Sequence, residues 1–165
     1  MRAGPGPPAF LDRASTLKII RTNSDNAAFR ALVVLLDEEL AVRDGAEHTF
    51  YAQFNNLDSI RHVVIAYAGD EAVGGRAFKE YSLAAVEIKR MFVKPEYRGR
   101  GVAGAVLAEL EKWAAEMHYR ECVLETGLKQ PEAIRLYEKS GYTRIPNYGQ
   151  YAGIENSLCM KKVLG

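Results

Sequence analysis

The sequence predicts an α/β (mixed α+β) domain: one mixed, mostly antiparallel sheet of six to seven strands with helices on both faces. Three observations carry this. The chain has 165 residues, 48% of them hydrophobic and 26% charged, which suits one globular domain burying about 70% of its unfolded surface. Three strand-like runs follow one another between residues 62 and 93, joined by connections too short for crossovers, so they pair antiparallel. A strand, helix, strand succession from 85 to 126 then requires a parallel pair with a right-handed crossover.

The elements follow in order. MRAGPGPPAF opens the chain. Its glycines and prolines read as a flexible lead-in over 1–15, with the domain over 16–165. Arg2 is followed by no apolar core, so no signal peptide is expected. Leu17 to Arg21 reads as a short strand. Asn23, Ser24 and Asp25 are helix-start residues. From Ala27 to Val42, Phe29, Leu32, Val33, Leu36 and Leu40 recur at helical spacing, and Asp44-Gly45 ends the run. A shorter helical or irregular stretch continues to about Asn56. His62–Ala68, Ala72–Tyr81 and Ala84–Val93 are the three meander strands, with Gly74-Gly75 marking a bulge or a close backbone approach. Gly101–His118 is helical, with Val102, Val106, Leu110, Trp113 and Met117 on one stripe. Glu121–Thr126 is a strand. Pro131 opens a helix that Gly141 stops, and strands at Tyr142–Ile145 and Ser157–Val163 close the chain.

Composition excludes several functions. With 22 basic and 21 acidic residues the net charge is +1, too little excess for a dedicated nucleic-acid binder. No run approaches the roughly 18 apolar residues of a membrane span, so no membrane partner is expected and the cytoplasm is the default. Cys122 and Cys159 form no CxxC pair, and His48, His62 and His118 lack ligand spacing, so no metal site is expected. Two buried thiols in a reducing compartment account for the cysteines.

The most informative segment is Arg98-Gly99-Arg100-Gly101-Val102-Ala103-Gly104, which joins a strand to a helix start. Glycines let a ligand approach the backbone, and a helix N-terminus offers unpaired N–H groups with partial positive charge. Together they suit a phosphate. Lys89, Arg90, Lys94, Arg98 and Arg100 against Glu96 give +4 over residues 89–100, leaving −3 for the rest. Gly99, Gly101 and Gly104 also spell GxGxxG, but five residues separate them from Val93 and only one βαβ unit exists, which disfavours a dinucleotide site. Glycines before a helix also serve plain tight turns.

Arg98 to Ala103 fits [Q/R]-x-x-G-x-[G/A] and resembles the signature of the GNAT superfamily of N-acetyltransferases. Glu87–Val93 with Lys94-Pro95-Glu96-Tyr97 is similar to that family's fourth strand and its exit. Leu124-Glu125-Thr126, Ala133–Tyr137 and Gly141-Tyr142 are similar to its fifth strand and last helix. The match covers about residues 84–145. The resemblance implies an acetyl-CoA-dependent transferase, working by direct attack in a ternary complex, on a sheet whose central parallel strands splay apart. Backbone at Arg98, Gly99, Arg100, Gly101, Val102, Ala103 and Gly104 would hold the pyrophosphate, with added charge from Arg98 and Arg100. Met91, Phe92 and Val93 would line the pantetheine arm like an added strand, and the Val93 N–H would polarise the thioester carbonyl. Tyr137 matches the tyrosine that protonates the leaving sulfur, although a packed aromatic is the plainer role. Glu87 falls where some members carry a general base, although an ion-paired strand glutamate is equally ordinary. Gln130 stands where asparagine often contacts the cofactor arm, and Lys139 is either a phosphate contact or a solvated helix residue.

The resemblance draws the acceptor site from residues 44–55 and 146–155, which carry Glu47, His48, Phe50, Tyr51, Tyr148 and Tyr151, with Lys79 and Tyr81 beside the cleft. This suits a small-molecule, amino-acid-like amine as acceptor, although simple packing of a tyrosine-rich loop is an equally ordinary role. A protein or peptide N-acetyltransferase and a non-catalytic acyl-CoA sensor are the alternatives. Homodimers are common on this fold.

Overall fold

The computed structural model describes residues 17–44 and 60–165. The lead-in, the stretch from Gly45 to Asn56, and with them Glu47, His48, Phe50 and Tyr51 lie outside the described residues. Seven strands are present among those described: β1 (Leu17–Thr22), β2 (His62–Ala68), β3 (Glu71–Glu80), β4 (Ala85–Val93), β5 (Glu121–Gly127), β6 (Thr143–Ile145) and β7 (Ser157–Val163). Three α-helices accompany them: α1 (Ala27–Asp44), α2 (Val102–Glu116) and α3 (Pro131–Lys139). The strands form one sheet in the order β1-β2-β3-β4-β5-β7-β6. Every pairing is antiparallel except β4 with β5, as the short and long connections dictate.

The sheet is buried on both faces. Along β2 the residues alternate: Val63 and Ile65 pack with Phe29, Leu32, Val33 and Leu36 of α1. Val64 and Ala66 pack with Val106, Leu107 and Leu110 of α2. This is the period of two expected of a strand covered by helices on both sides. The α3 residues Ala133, Ile134, Leu136 and Tyr137 join the α2 face.

Local details differ from the sequence reading in two places and sharpen it in a third. Asn26, one residue beyond the expected starters, caps α1 by accepting the Phe29 N–H at 3.0 Å. On α2 the buried stripe runs through Leu107 and Ala114, whereas Met117 ends the helix and is 39% exposed. Gly74-Gly75 is a close approach, and a bulge adjoins it: against β2, Gly74 faces Ala66 and Ala72 faces Tyr67, so β3 spends the extra residue Val73. A Cβ on Gly74 would sit 2.8 Å from Val102 Cγ1, and one on Gly75 would sit 3.2 Å from Leu32 Cδ1. The two glycines therefore admit α2 on one face and α1 on the other. A second bulge lies across from them on β4: Gly75 faces Phe92 and Ala77 faces Lys89, so β4 spends one more residue than β3 over Arg90-Met91.

Candidate active site

The central parallel pair parts. Its ladder runs from Ala85–Glu121 to Ile88–Leu124 and ends there. Beyond that point β4 continues to Val93 beside β3 alone, and β5 continues to Gly127 beside β7 alone. Lys94 N–H bonds the Val73 carbonyl at 2.8 Å, which makes Gly74–Val93 a pair that exchanges no hydrogen bonds. The Val93 N–H and C=O therefore point away from β3, into the opening. Phe92, by alternation, turns its backbone to β3, and Met91 lies in the bulge.

The chain leaves Val93 through a 3₁₀ turn at Pro95–Tyr97 and enters α2 through two left-handed glycines, Gly99 (φ 78°) and Gly101 (φ 84°). Side chains with a Cβ rarely adopt that backbone. The first backbone bond into α2 is Ala105 N–H to the Gly101 carbonyl, 3.0 Å. The amides of Val102, Ala103 and Gly104 thus stand at the open helix end. The Arg98 N–H is spent on Pro95 O.

The +4 stretch is not one patch in space. Arg98 donates Nε to the Val93 carbonyl (2.8 Å) and Nη2 to Glu39 of α1 (2.7 Å). Lys94 pairs with Glu71 at 3.1 Å. Lys89 is buried, with Nζ 3.3 Å from the Tyr151 hydroxyl. Arg100 sits over the Tyr97 ring at 5.8 Å. Sequence proximity grouped charges that strand alternation and ion pairing separate.

On the α2 face, Tyr137 is buried and its hydroxyl accepts a hydrogen bond from Arg76 Nη2. Gln130 precedes α3 with its amide beside Gly127, at the end of β5 where the strands have parted. Arg76 was not anticipated. Its signal is a charged residue between Gly74 and Phe78, both of which face α2.

The other face of β4 carries a second polar group. Glu87 is 3% exposed and accepts the Tyr148 hydroxyl at 2.7 Å. Lys89 Nζ lies 3.9 Å from its other oxygen. Lys79 is its cross-strand partner. Tyr81 packs edge-on against Tyr148 at 5.0 Å, and Tyr148 against Tyr151 at 5.7 Å. Burial and then the Glu87 charge push the Tyr148 phenol far up, and burial does the same for Tyr151. Both phenols keep their protons at ordinary pH; Tyr148 donates to Glu87, and Tyr151 accepts from Lys89. The structure thus gathers Glu87, Lys79, Tyr81, Tyr148 and Tyr151 on one face, and adds Lys89.

The two thiols are fully buried and unbridged. Burial raises Cys122 to about 12 and Cys159 to about 11, so neither offers a thiolate nucleophile. Among the described residues no three His, Cys, Asp or Glu side chains stand together to hold a metal ion. No described helix is long and apolar enough to cross a membrane.

A parallel pair that parts ahead of a glycine-turned helix start is the architecture of an acyltransferase that takes an acyl-CoA. The model of the acetyltransferase (GNAT) family matches residues 28–142, and the chain belongs to that family. It is 37% identical over 78 residues to the IAA acetyltransferase of Azospirillum brasilense, a match covering 47% of this chain and 51% of that one. The match thus spans about half the length of that relative. Its fold matches a solved structure described as an acyl-CoA N-acyltransferase of Klebsiella pneumoniae, with TM-score 0.77 and 26% identity over 92% of this chain and 99% of the other. It also shares the fold of a GNAT family acetyltransferase of Elizabethkingia anophelis with acetyl-CoA bound, TM-score 0.67 at 17% identity over 90% and 99% of the chains.

Proposed function

We propose that the protein is an acetyl-CoA-dependent N-acetyltransferase that passes acetyl directly to the primary amine of a small, amino-acid-like molecule in a ternary complex. The observation that carries this reading is the parted β4–β5 pair, which turns the Val93 N–H into an opening that leads to the left-handed turn at Gly99 and Gly101. The open amides of Val102, Ala103 and Gly104 receive the pyrophosphate, and the pantetheine arm lies along β4 as an added strand. Arg98 acts as a bracket between Val93 and α1, so the pyrophosphate contacts come from backbone and from Arg100.

The chemistry needs a polarised carbonyl, a neutral amine and a protonated leaving sulfur. The Val93 N–H polarises the carbonyl. Glu87, held by the Tyr148 hydroxyl, takes the amine proton directly or through water. Tyr137 donates its proton to the sulfur as the C–S bond breaks. The aromatic and charged side chains around Glu87 frame the acceptor.

The test measures thiol release from acetyl-CoA with a panel of amino acids, polyamines, aminoglycosides and peptides, with products identified by mass. Turnover on a small amine is expected. Tyr137→Phe should lower turnover with little change in acetyl-CoA affinity, and Glu87→Gln should shift the acidic limb of the pH–rate profile. Binding of acetyl-CoA with no turnover on any amine would overturn the reading in favour of a sensor, and turnover confined to peptides would overturn the acceptor class.

A further inference from the structure

We propose that Arg76 is the positioning residue for Tyr137: its guanidinium holds the phenol oxygen so that the phenol proton is aimed at the leaving sulfur, and it supports the negative charge left on that oxygen. The proposal rests on the reading of Tyr137 as proton donor.

Arg76 is 2% exposed in the middle of β3. Its Nη2 donates to Tyr137 Oη at 2.5 Å, and its guanidinium carbon lies 5.1 Å from the centre of the Tyr137 ring. A guanidinium has five donors and no acceptor. Tyr137 can therefore only accept from Arg76, and its own proton must go elsewhere. Among the described residues no acceptor takes that proton.

Arg76 is also underpaired for its depth. Nε and Nη1 are buried and have no hydrogen-bond partner among the described residues, and no described carboxylate pairs with it. Burying a charge without a partner costs stability, and an apolar side chain of similar volume would fill the same space. A carboxylate beside Arg76 would offset its charge. Without one, the full positive charge stands next to Tyr137 Oη.

The proton accounting closes. The amine nitrogen bonds to the thioester carbon, and its proton passes to Glu87 or water. The C–S bond breaks and its electron pair leaves on sulfur. The Tyr137 proton moves to sulfur, the O–H pair stays on Oη beside Arg76, and after CoA departs the proton taken from the amine reaches Oη through solvent, which restores both groups.

The experiment compares Arg76→Met, Arg76→Lys, Tyr137→Phe and the Arg76→Met/Tyr137→Phe double variant. Thermal unfolding verifies the fold, calorimetry measures acetyl-CoA affinity, and thiol release gives kcat, with the best amine of the panel or with water as acceptor. Arg76→Met should lower kcat on the order of 10²-fold, the scale of a general acid, with acetyl-CoA affinity within about threefold. Arg76→Lys should recover part of the loss. In the Tyr137→Phe background Arg76→Met should cost little more, because its effect runs through the phenol. An unchanged kcat in Arg76→Met, or an equal loss in both backgrounds, overturns the proposal while leaving Tyr137 in its role. An unchanged kcat in Tyr137→Phe removes the Tyr137 reading and this proposal together. If Arg76→Met does not fold, Arg76→Lys and Arg76→Lys/Tyr137→Phe decide: full activity of Arg76→Lys, or an equal loss in both backgrounds, overturns the proposal, and a loss that vanishes without the phenol supports it.

Discussion

Gly74→Ala tests whether the proposed cofactor slot depends on the close approach of β3 and α2. The added Cβ would lie 2.8 Å from Val102 Cγ1, 3.3 Å from the Phe92 carbonyl oxygen and 3.3 Å from Val93 Cγ2. Carbon atoms pack best at about 3.5–4.0 Å, so the first contact falls short by roughly 1 Å. Val102 is β-branched and stiff at χ1 in a helix, and backbone and Val93 close the other side. The relief must come from the first turn of α2. Overpacking of this kind costs about 1–3 kcal/mol, visible as a lower urea midpoint at unchanged slope. The same shift carries the amides of Val102, Ala103 and Gly104, so acetyl-CoA affinity should fall on the order of tenfold, which is about 1.4 kcal/mol. Gly75→Ala is the internal control. Its Cβ would meet Leu32 Cδ1 at 3.2 Å and Val64 O at 3.3 Å on the α1 side, so it should touch stability and spare binding. Equal acetyl-CoA affinity in Gly74→Ala and wild type, with stability within about 0.5 kcal/mol, would refute the reasoning.

Gly104 gives the opposite expectation: a Cβ there meets nothing within 4 Å. Gly104→Ala should leave the fold intact or add up to about 1 kcal/mol yet weaken acetyl-CoA binding by calorimetry, and full binding would place the pyrophosphate elsewhere. Cys122 and Cys159, raised by burial to about 12 and about 11, should react with a disulfide reagent only as fast as the protein unfolds. A rapid native-state thiol would contradict their burial. His62 stacks on Phe78 at 4.8 Å, and burial and then the Arg61 charge lower its imidazole below the usual value near 6.5. As pH falls, the unfolded chain takes up this proton first, so stability should drop through the window just below pH 6.5. His62→Phe should flatten that slope in urea midpoints measured across it, and an unaltered slope would assign it to other groups.

The fold was legible wherever periodicity changed. The switch from period two to helical spacing after Tyr97 placed the crossover, and the crossover imposed the parallel pair. The glycine turn was legible because Gly99 and Gly101 adopt a backbone that other residues avoid. Side-chain partners were not legible, because they depend on which face each residue takes. Arg98 reads as a phosphate ligand until α1 brings Glu39 to it. Lys89 reads as part of a basic run until alternation turns it toward Tyr151 and Glu87. Arg76 passed unread because its partner lies 61 residues away on α3.

One residue of register ties these observations together. Val86 and Ile88 face α2, so an unbroken β4 would send Val93 to the α1 side and point its N–H at β3. The extra residue over Arg90-Met91 reverses both. Phe92 then packs with the α1 core, Val93 with the α2 core, and Val93 pairs with Gly74 without exchanging hydrogen bonds. The bulge therefore frees the Val93 N–H for a ligand, just past the point where β5 leaves the ladder. It also explains how one strand serves both halves of the proposed chemistry. Glu87, before the bulge, faces the tyrosines on one side of the sheet. Tyr137 and Arg76 occupy the other side, and only a gap through the sheet lets an acyl group meet both. A closed sheet with the same side chains would keep the proposed base and the proposed acid from ever sharing a substrate.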